Sequence, residues 1–391
     1  MSEEKIFDNT KIAFKLKSDS ELERAYFIFK MISSQPLVKI GTAATNFALK
    51  ANLPVEGLIR STVFDHFCGG TDEIDCLPVI DKLYKGGVSS VLDYSIEGKE
   101  SERQFDETML RIIKILEFSK SKPSLPIAVF KPTGFGRFSL YEKKSNKTPL
   151  TELEKFEWSR IEARFDKVCQ CAFEENVKVL IDAEESWMQY AADELVEKMM
   201  MRYNKNNVIV FNTLQTYRWD RLDYLKSIHN RAQKLKFKIG VKIVRGAYME
   251  KERKRAFEHG YKPPICINKS ATDKSFNESM IYILKNIEDF GLFIGTHNEE
   301  STYLALKEMK SLGINKNDNS IWFGQLYGMS DHISFNLAQA GYNVAKYLPF
   351  GPVKDVMPYL IRRAEENTSV AGQTTRELKL LEQERKNRRL D

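Results

Sequence analysis

Apolar residues recur at three- and four-residue spacing through LERAYFIFKMI (22–32), the period of a helix that buries one face. A second helix-rich stretch follows, punctuated by CGGTDEIDC (68–76). After Gly86 and Gly87 the texture changes to short apolar runs, each followed by a polar segment of helical period. Eight such runs occur: VSSVLDYS (88–95), PIAVFKPT (126–133), VKVLIDAEE (177–185), NVIVFNT (207–213), GVKIVRGAY (240–248), GLFIGTHNEE (291–300), SIWFGQLYG (320–328) and YNVAKYLPFG (342–351). Their hydrophobicity is continuous rather than alternating, as strands buried on both faces require.

Strand and helix in eightfold alternation predict an α/β chain, a (β/α)8 TIM-like barrel, with an open doubly wound sheet as the alternative that periodicity alone leaves standing. The position of the polar residues favours the barrel. The runs end in Asp93, Lys131, Asp182 with Glu184, Gln215, Arg245 with Tyr248, His297 with Asn298, Gln325 with Tyr327, and Tyr347. A barrel gathers such strand ends at one face. The expected organisation is an N-terminal helical segment over 1–85, the barrel over 86–370 and a C-terminal helical tail over 371–391.

Composition narrows the partners. At 391 residues and 42% hydrophobic content the chain can bury a large core, and a net charge of +6 without a dense basic block does not indicate nucleic acid. Five scattered cysteines argue for reduced thiols. Cys169 and Cys171 fall two apart on a helix and so point to different sides. No run approaches the roughly 20 apolar residues of a spanning helix, and the N-terminus lacks a signal or presequence pattern. A cytoplasmic protein is expected, with any membrane contact peripheral, at the inner face of the membrane. The five histidines show no metal-ligand spacing, so no metal is expected. GFGRFS (134–139) has Ser139 where a dinucleotide fingerprint needs its third glycine.

Lys131 and Asp182 end consecutive strands, about 5 Å apart in a barrel, and are expected to form an ion pair. Lys131 could hold a substrate carboxylate, form a Schiff base with a carbonyl, or simply neutralise Asp182. In PYLIRRAEEN (358–367), Arg362 and Arg363 diverge by about 100° on their helix, so both reach one ligand only if the helix presents its side to it. A salt-bridged surface, with Glu366 one turn on, explains them equally well.

The segments LIDAEES (180–186), KIVRGAYMEKER (242–253), THNEES (296–301), FGQLYGMSD (323–331) and YLPFGPVKDVMPYLIRRAEEN (347–367) resemble, in order and spacing, the proline dehydrogenase family in its monofunctional, mitochondrial-like form. The resemblance implies a distorted barrel that holds FAD non-covalently, its last helix over the mouth. It implies oxidation of L-proline to 1-pyrroline-5-carboxylate by hydride transfer to the flavin, with electrons passed to a quinone-type acceptor. Arg362, Arg363 and Lys131 would bind the proline carboxylate, with Lys131 paired to Asp182, while Tyr248, Leu326 and Tyr347 wall the ring. Flavin contacts would come from Gln215, Val244, Arg245, Gly246, Thr296, His297 and Glu366. Lys242 would stand near the flavin N5, where fused bacterial members place an arginine. No residue is assigned as a general base. A separate pyrroline-5-carboxylate dehydrogenase would take the product, since no second catalytic domain follows residue 391. The lead-in and the basic tail RELKLLEQERKNRRLD are either solvated helices or surfaces for a membrane or partner. Hydroxyproline dehydrogenase, a flavin-free aldolase-like barrel using Lys131, and a ligand-binding module without turnover are the competing readings.

Overall fold

The computed structural model describes residues 5–34, 36, 38, 41, 43, 56–94, 100–369 and 373–390. Within them the eight runs form strands β1 (Ser89–Tyr94), β2 (Ile127–Phe130), β3 (Lys178–Ile181), β4 (Val210–Gln215), β5 (Ile239–Val244), β6 (Phe290–Gly295), β7 (Ile321–Leu326) and β8 (Val344–Phe350). They close into a barrel in sequential order, β1 pairing with β8 in parallel. The chain divides into two compact units, one of residues 1–96, 297–299 and 324–391, the other of residues 97–296 and 300–323.

In the second unit the helices are delimited by local chemistry. Ser101 and Thr151 open helices Glu102–Ser119 and Glu152–Glu174, each completing a capping box with Gln104 and Glu154. On the second of these, Cys169 is buried and Cys171 only half so, as their spacing predicts. β4 starts later and ends later than its apolar run. The reason is Asn204, whose side chain accepts from the amides of Ile209 (3.0 Å) and Val210 (2.9 Å) and donates to the Val210 carbonyl (2.8 Å), fixing where the strand begins. Gln215 thereby becomes the last residue of β4 rather than a loop residue.

The register Phe211↔Gly240 and Gly240↔Gly291 follows from the pairing of β4, β5 and β6. A Cβ on Gly240 would stand 2.3 Å from the Val210 carbonyl oxygen and 2.7 Å from the Phe211 ring, and one on Gly291 would stand 2.9 Å from that ring. The two glycines are the room that Phe211 occupies.

In the first unit the lead-in helix Asp19–Ile32 buries Leu22, Ala25, Ile28, Phe29 and Ile32 against Val356, Met357 and Leu360 of helix Val353–Ser369 and Leu380 and Leu381 of helix Gln373–Asn387. The basic tail is therefore solvated on one side only. Its Arg385 meets Glu23 at 2.6 Å and lies 4.2 Å from the Tyr26 ring centre, and Arg388 donates to the carbonyls of Phe14 (2.9 Å) and Lys17 (2.8 Å). Among the described residues no helix is long and apolar enough to cross a membrane.

Substituting Gly240→Ala should lower unfolding stability by about 1–3 kcal/mol, the usual cost of forcing carbon into a filled interior. A urea midpoint equal to that of the unsubstituted protein would show that this part of the barrel is not close-packed.

Candidate active site

The polar strand ends of the second unit satisfy one another across several strands. Lys131 follows β2 and Asp182 follows β3, and the Asp182 amide donates to the Phe130 carbonyl at 2.9 Å, so the two residues stand side by side. The Asp182 carboxylate has a cation partner that the sequence did not identify: Lys242, whose ammonium forms an ion pair with it from β5. Asn212 contacts the helix residue Asp193, so its neighbour Thr213 and the Thr213 partner Lys242 face the barrel interior. Lys242 is buried, and a carboxylate is what makes a lysine tolerable there.

Glu184, two residues beyond Asp182, ties the loop after β3 to the turn after β2, to the end of β4 and to the helix that follows. It accepts from the Thr133 amide (3.0 Å) and hydroxyl (2.7 Å), its carbonyl accepts from Gln215 Nε2 (2.7 Å), and its amide donates to Gln189 Oε1 (2.8 Å). Burial pushes its carboxyl up to about 7, against the opposing pull of Lys131 and of the Thr133 hydrogen bonds. The turn that carries Lys131 is thus anchored by a group whose charge depends on pH.

At the end of β5 the chain leaves the barrel through Val244, Arg245, Gly246 and Ala247. Arg245 does not reach freely into solvent. It bonds to Asp273 (2.7 Å), Thr296 Oγ1 (2.9 Å) and Ser301 Oγ (3.0 Å), over the Phe276 ring at 4.6 Å. Thr296, read from sequence as a cofactor contact, is therefore also part of the arginine's support. Gly246 has φ +138°, and a Cβ there would stand 2.5 Å from the Tyr217 ring. Only glycine lets the backbone pass this close with that dihedral. Gln215 Oε1 accepts from the Ala247 amide at 3.0 Å, so this one amide side chain braces the segments after β3 and β5 together. Gly246 and Ala247 are exposed between these fixed side chains, and Gly246, with no side chain of its own, leaves room there that a flat cofactor such as a flavin fits. Tyr248 caps helix Met249–His259, half-buried, with the Lys251 ammonium 5.4 Å from its ring centre. Glu252 of that helix, fully buried, accepts from the Ser186 amide (2.7 Å) and hydroxyl (2.6 Å).

The remaining candidates belong to the first unit. His297 Nδ1 lies 2.9 Å from Ser330 Oγ, and the Leu326 amide points at its Nε2 from 3.5 Å. Leu326 ends β7. Tyr347, in β8 and mostly buried, accepts from the Tyr327 amide through its carbonyl at 2.8 Å. Arg362 and Arg363 are half-buried, and the Arg363 guanidinium lies 5.4 Å from the Tyr359 ring centre. Tyr359 belongs to the buried face of the same helix. The side chain of Glu366 lies outside the described residues. Among the described residues no group of three or more His, Cys, Asp or Glu is placed to hold a metal.

Sequence reading did not single out Ser330, Glu377, Asp331 or Lys346, all buried here. Asp331 sits between Lys17 (3.0 Å) and Lys346 (2.7 Å); burial opposes its ionisation, and the two ammonium groups hold its carboxyl well below the usual range. The SD pair in FGQLYGMSD was a visible signal; its cation partners, hundreds of residues away on one side, were not.

The Glu184 carboxyl keeps its proton up to about 7 in the native state and releases it near 4.5 when unfolded. The native state then binds more protons between those values, so stability falls as pH rises through pH 4.5 to 7, by about 3 kcal/mol from this group. Glu184→Gln should remove that slope. Equal pH dependence of Tm in both proteins would refute the assignment.

The chain matches the proline dehydrogenase family over residues 76–376. It is 37% identical over 329 residues to the carbapenem antibiotics biosynthesis protein CarD of Pectobacterium carotovorum subsp. carotovorum, covering 84% of this chain and 85% of that one. Proline dehydrogenase 1, mitochondrial, of Arabidopsis thaliana is 32% identical, covering 94% and 83%, and hydroxyproline dehydrogenase of Xenopus laevis is 32% identical, covering 96% and 88%. Among solved structures, proline utilization A from Bdellovibrio bacteriovorus, inactivated by N-propargylglycine, superposes with a TM-score of 0.72 at 21% identity, over 95% of this chain. The chain spans 40% of the length of that protein, a likeness of fold. The matched family region contains every residue named above from Lys131 to Arg363, and this chain belongs to the proline dehydrogenase family.

Proposed function

We propose that the protein oxidises L-proline to 1-pyrroline-5-carboxylate with bound FAD. The observation that supports this most is that one family match, over residues 76–376, takes in all of the strand-end residues whose geometry has been described. Gln215, Val244, Arg245, Gly246, Thr296, His297 and Glu366 would hold the cofactor. When bound, FAD supplies the acceptor for a hydride from the substrate's ring carbon.

The chain's own residues would do the rest by placement and charge. Arg362 and Arg363, on the helix that closes the barrel mouth in this reading, bind the carboxylate through charge-assisted hydrogen bonds. Lys131 adds a third cation. Fixing that end of the substrate sets the position of its reacting carbon, where an error of about 1 Å can cost on the order of 100-fold in rate. Tyr248, Leu326 and Tyr347 exclude water from the ring. Several cations around the carboxylate favour the amine in its uncharged form, its protons passing to solvent, and no residue is assigned as a general base. Asp182, which already neutralises Lys242, keeps the surplus of positive charge small; Lys242 itself would stand beside the reacting part of the cofactor.

A quinone-type acceptor, peripheral contact with a membrane, a separate pyrroline-5-carboxylate dehydrogenase and a cytoplasmic location complete the proposal; the mitochondrial label in several relatives' names is theirs. A second substrate, hydroxyproline, draws support from the Xenopus relative, which matches at the same 32% as the Arabidopsis one. The bulk of Tyr347 leans toward proline. The ratio of kcat/KM for the two substrates decides between them.

The purified protein should be yellow and should bleach anaerobically on addition of proline. Arg362→Met or Arg363→Met should raise KM for proline about 10- to 100-fold, the worth of a hydrogen bond to a charged group, while leaving bound FAD largely in place. Unchanged kinetics in both variants would defeat the clamp. A colourless protein whose lysine is trapped by borohydride with a carbonyl substrate would assign Lys131 to Schiff-base chemistry instead, and a bound ligand without dye-coupled turnover would mark a binding module.

A further inference from the structure

Ser330 adopts φ +51°, ψ +42°, a left-handed conformation that costs a serine strain and a glycine almost none. Two residues earlier, Gly328 (φ +78°) shows the usual solution: a Cβ there would stand 2.2 Å from the His66 carbonyl oxygen. A strained serine one turn from such a glycine points to a use for its hydroxyl. That hydroxyl lies 2.9 Å from Nδ1 of His297. The Leu326 amide, which can only donate, faces the other ring nitrogen from 3.5 Å, an arrangement that favours the tautomer with the proton on Nδ1 and Ser330 as its acceptor.

The tail helix Gln373–Asn387 holds this arrangement by two routes. Buried Glu377 accepts from the Ser330 amide at 2.9 Å, and Arg376 bonds at 2.7 Å to Glu299, two residues beyond His297. Glu299 also meets His332 Nε2 at 3.0 Å, from the helix that Ser330 caps. Lys346 donates to the Met329 carbonyl at 2.6 Å, so the Met329–Ser330 peptide is held at its carbonyl by Lys346 and at its amide by Glu377.

We propose that the tail helix is part of the cofactor site: Glu377 holds Ser330 in its left-handed turn so that the hydroxyl fixes the His297 ring, and Arg376 steadies the same loop through Glu299. Glu377, Ser330 and Arg376 are positioning residues. The inference rests on the reading of His297 as a flavin contact.

The decisive variant is Ser330→Gly, because relief of strain and loss of the relay have opposite signs. Its Tm should equal or exceed that of the unsubstituted protein, while FAD, titrated onto apoprotein and followed by fluorescence quenching, should bind about five- to tenfold more weakly, the loss of one hydrogen bond. The His297 imidazole, observed by ¹⁵N NMR in apoprotein and assigned with His297→Asn, should change from a single Nδ1–H tautomer to a mixture. Glu377→Leu should weaken FAD in the same way, and Lys379→Ala, exposed on the same helix, should not. Unchanged FAD affinity in Ser330→Gly overturns the proposal, as does a fall in Tm that accompanies the loss of FAD. If the unsubstituted protein binds no FAD, the functional reading fails; the relay is then judged on the imidazole alone, and it falls if Ser330→Gly keeps the original tautomer.

Discussion

A lysine inside the barrel at the end of a strand needs a counter-charge, and the Lys242–Asp182 ion pair is the constraint on which the second unit's polar end depends. Removing either partner alone would leave an uncompensated buried charge, which costs far more than the pair itself contributes. Once Asp182 is committed to β5, its neighbour Lys131 is set by the adjacent strand end, and the turn after Lys131 is fixed by Thr133 on Glu184. Glu184 in turn leans on Gln215 and Gln189. Each polar group that would otherwise be buried without a partner is thus the support of the next.

The same logic operates at the exit of β5. Arg245 binds Asp273, Thr296 and Ser301, and the next two residues, Gly246 and Ala247, are exposed beside it, the Ala247 amide held by Gln215. Residues expected to touch a cofactor directly divide into those that present a surface and those that hold it in place. The distinction matters for substitutions, because changing Arg245 would disturb its bonds to Asp273, Thr296 and Ser301 as well as any ligand.

In the first unit, charge and burial give the terminal segments a structural role. Asp331 between two lysines, Glu299 between His332 and Arg376, and Arg388 on backbone carbonyls join the lead-in, the segment after β7 and the tail into one body with an apolar centre. Exposed charges on the tail are the outer face of an amphipathic helix that buries Leu380 and Leu381.

By itself the sequence determined the strands, because a strand buried on both faces needs an unbroken apolar run and a barrel needs eight of them followed by helical period. It also marked polar strand ends such as Lys131, Asp182 and Gln215, since polar groups after such runs stand out against them; Tyr347, read as a run end, lies midway along β8. Register and pairing were decided only by tertiary structure. That β4 starts where Asn204 caps it, that Asp182 takes Lys242 from β5, and that Ser330 is left-handed with Glu377 beneath it all depend on groups brought together across about 5 to 60 or more residues of chain. Local periodicity carries the free energy of burying a face, whereas the choice among cations for one carboxylate, or of a dihedral that strains its own residue, is settled by neighbours that only folding supplies.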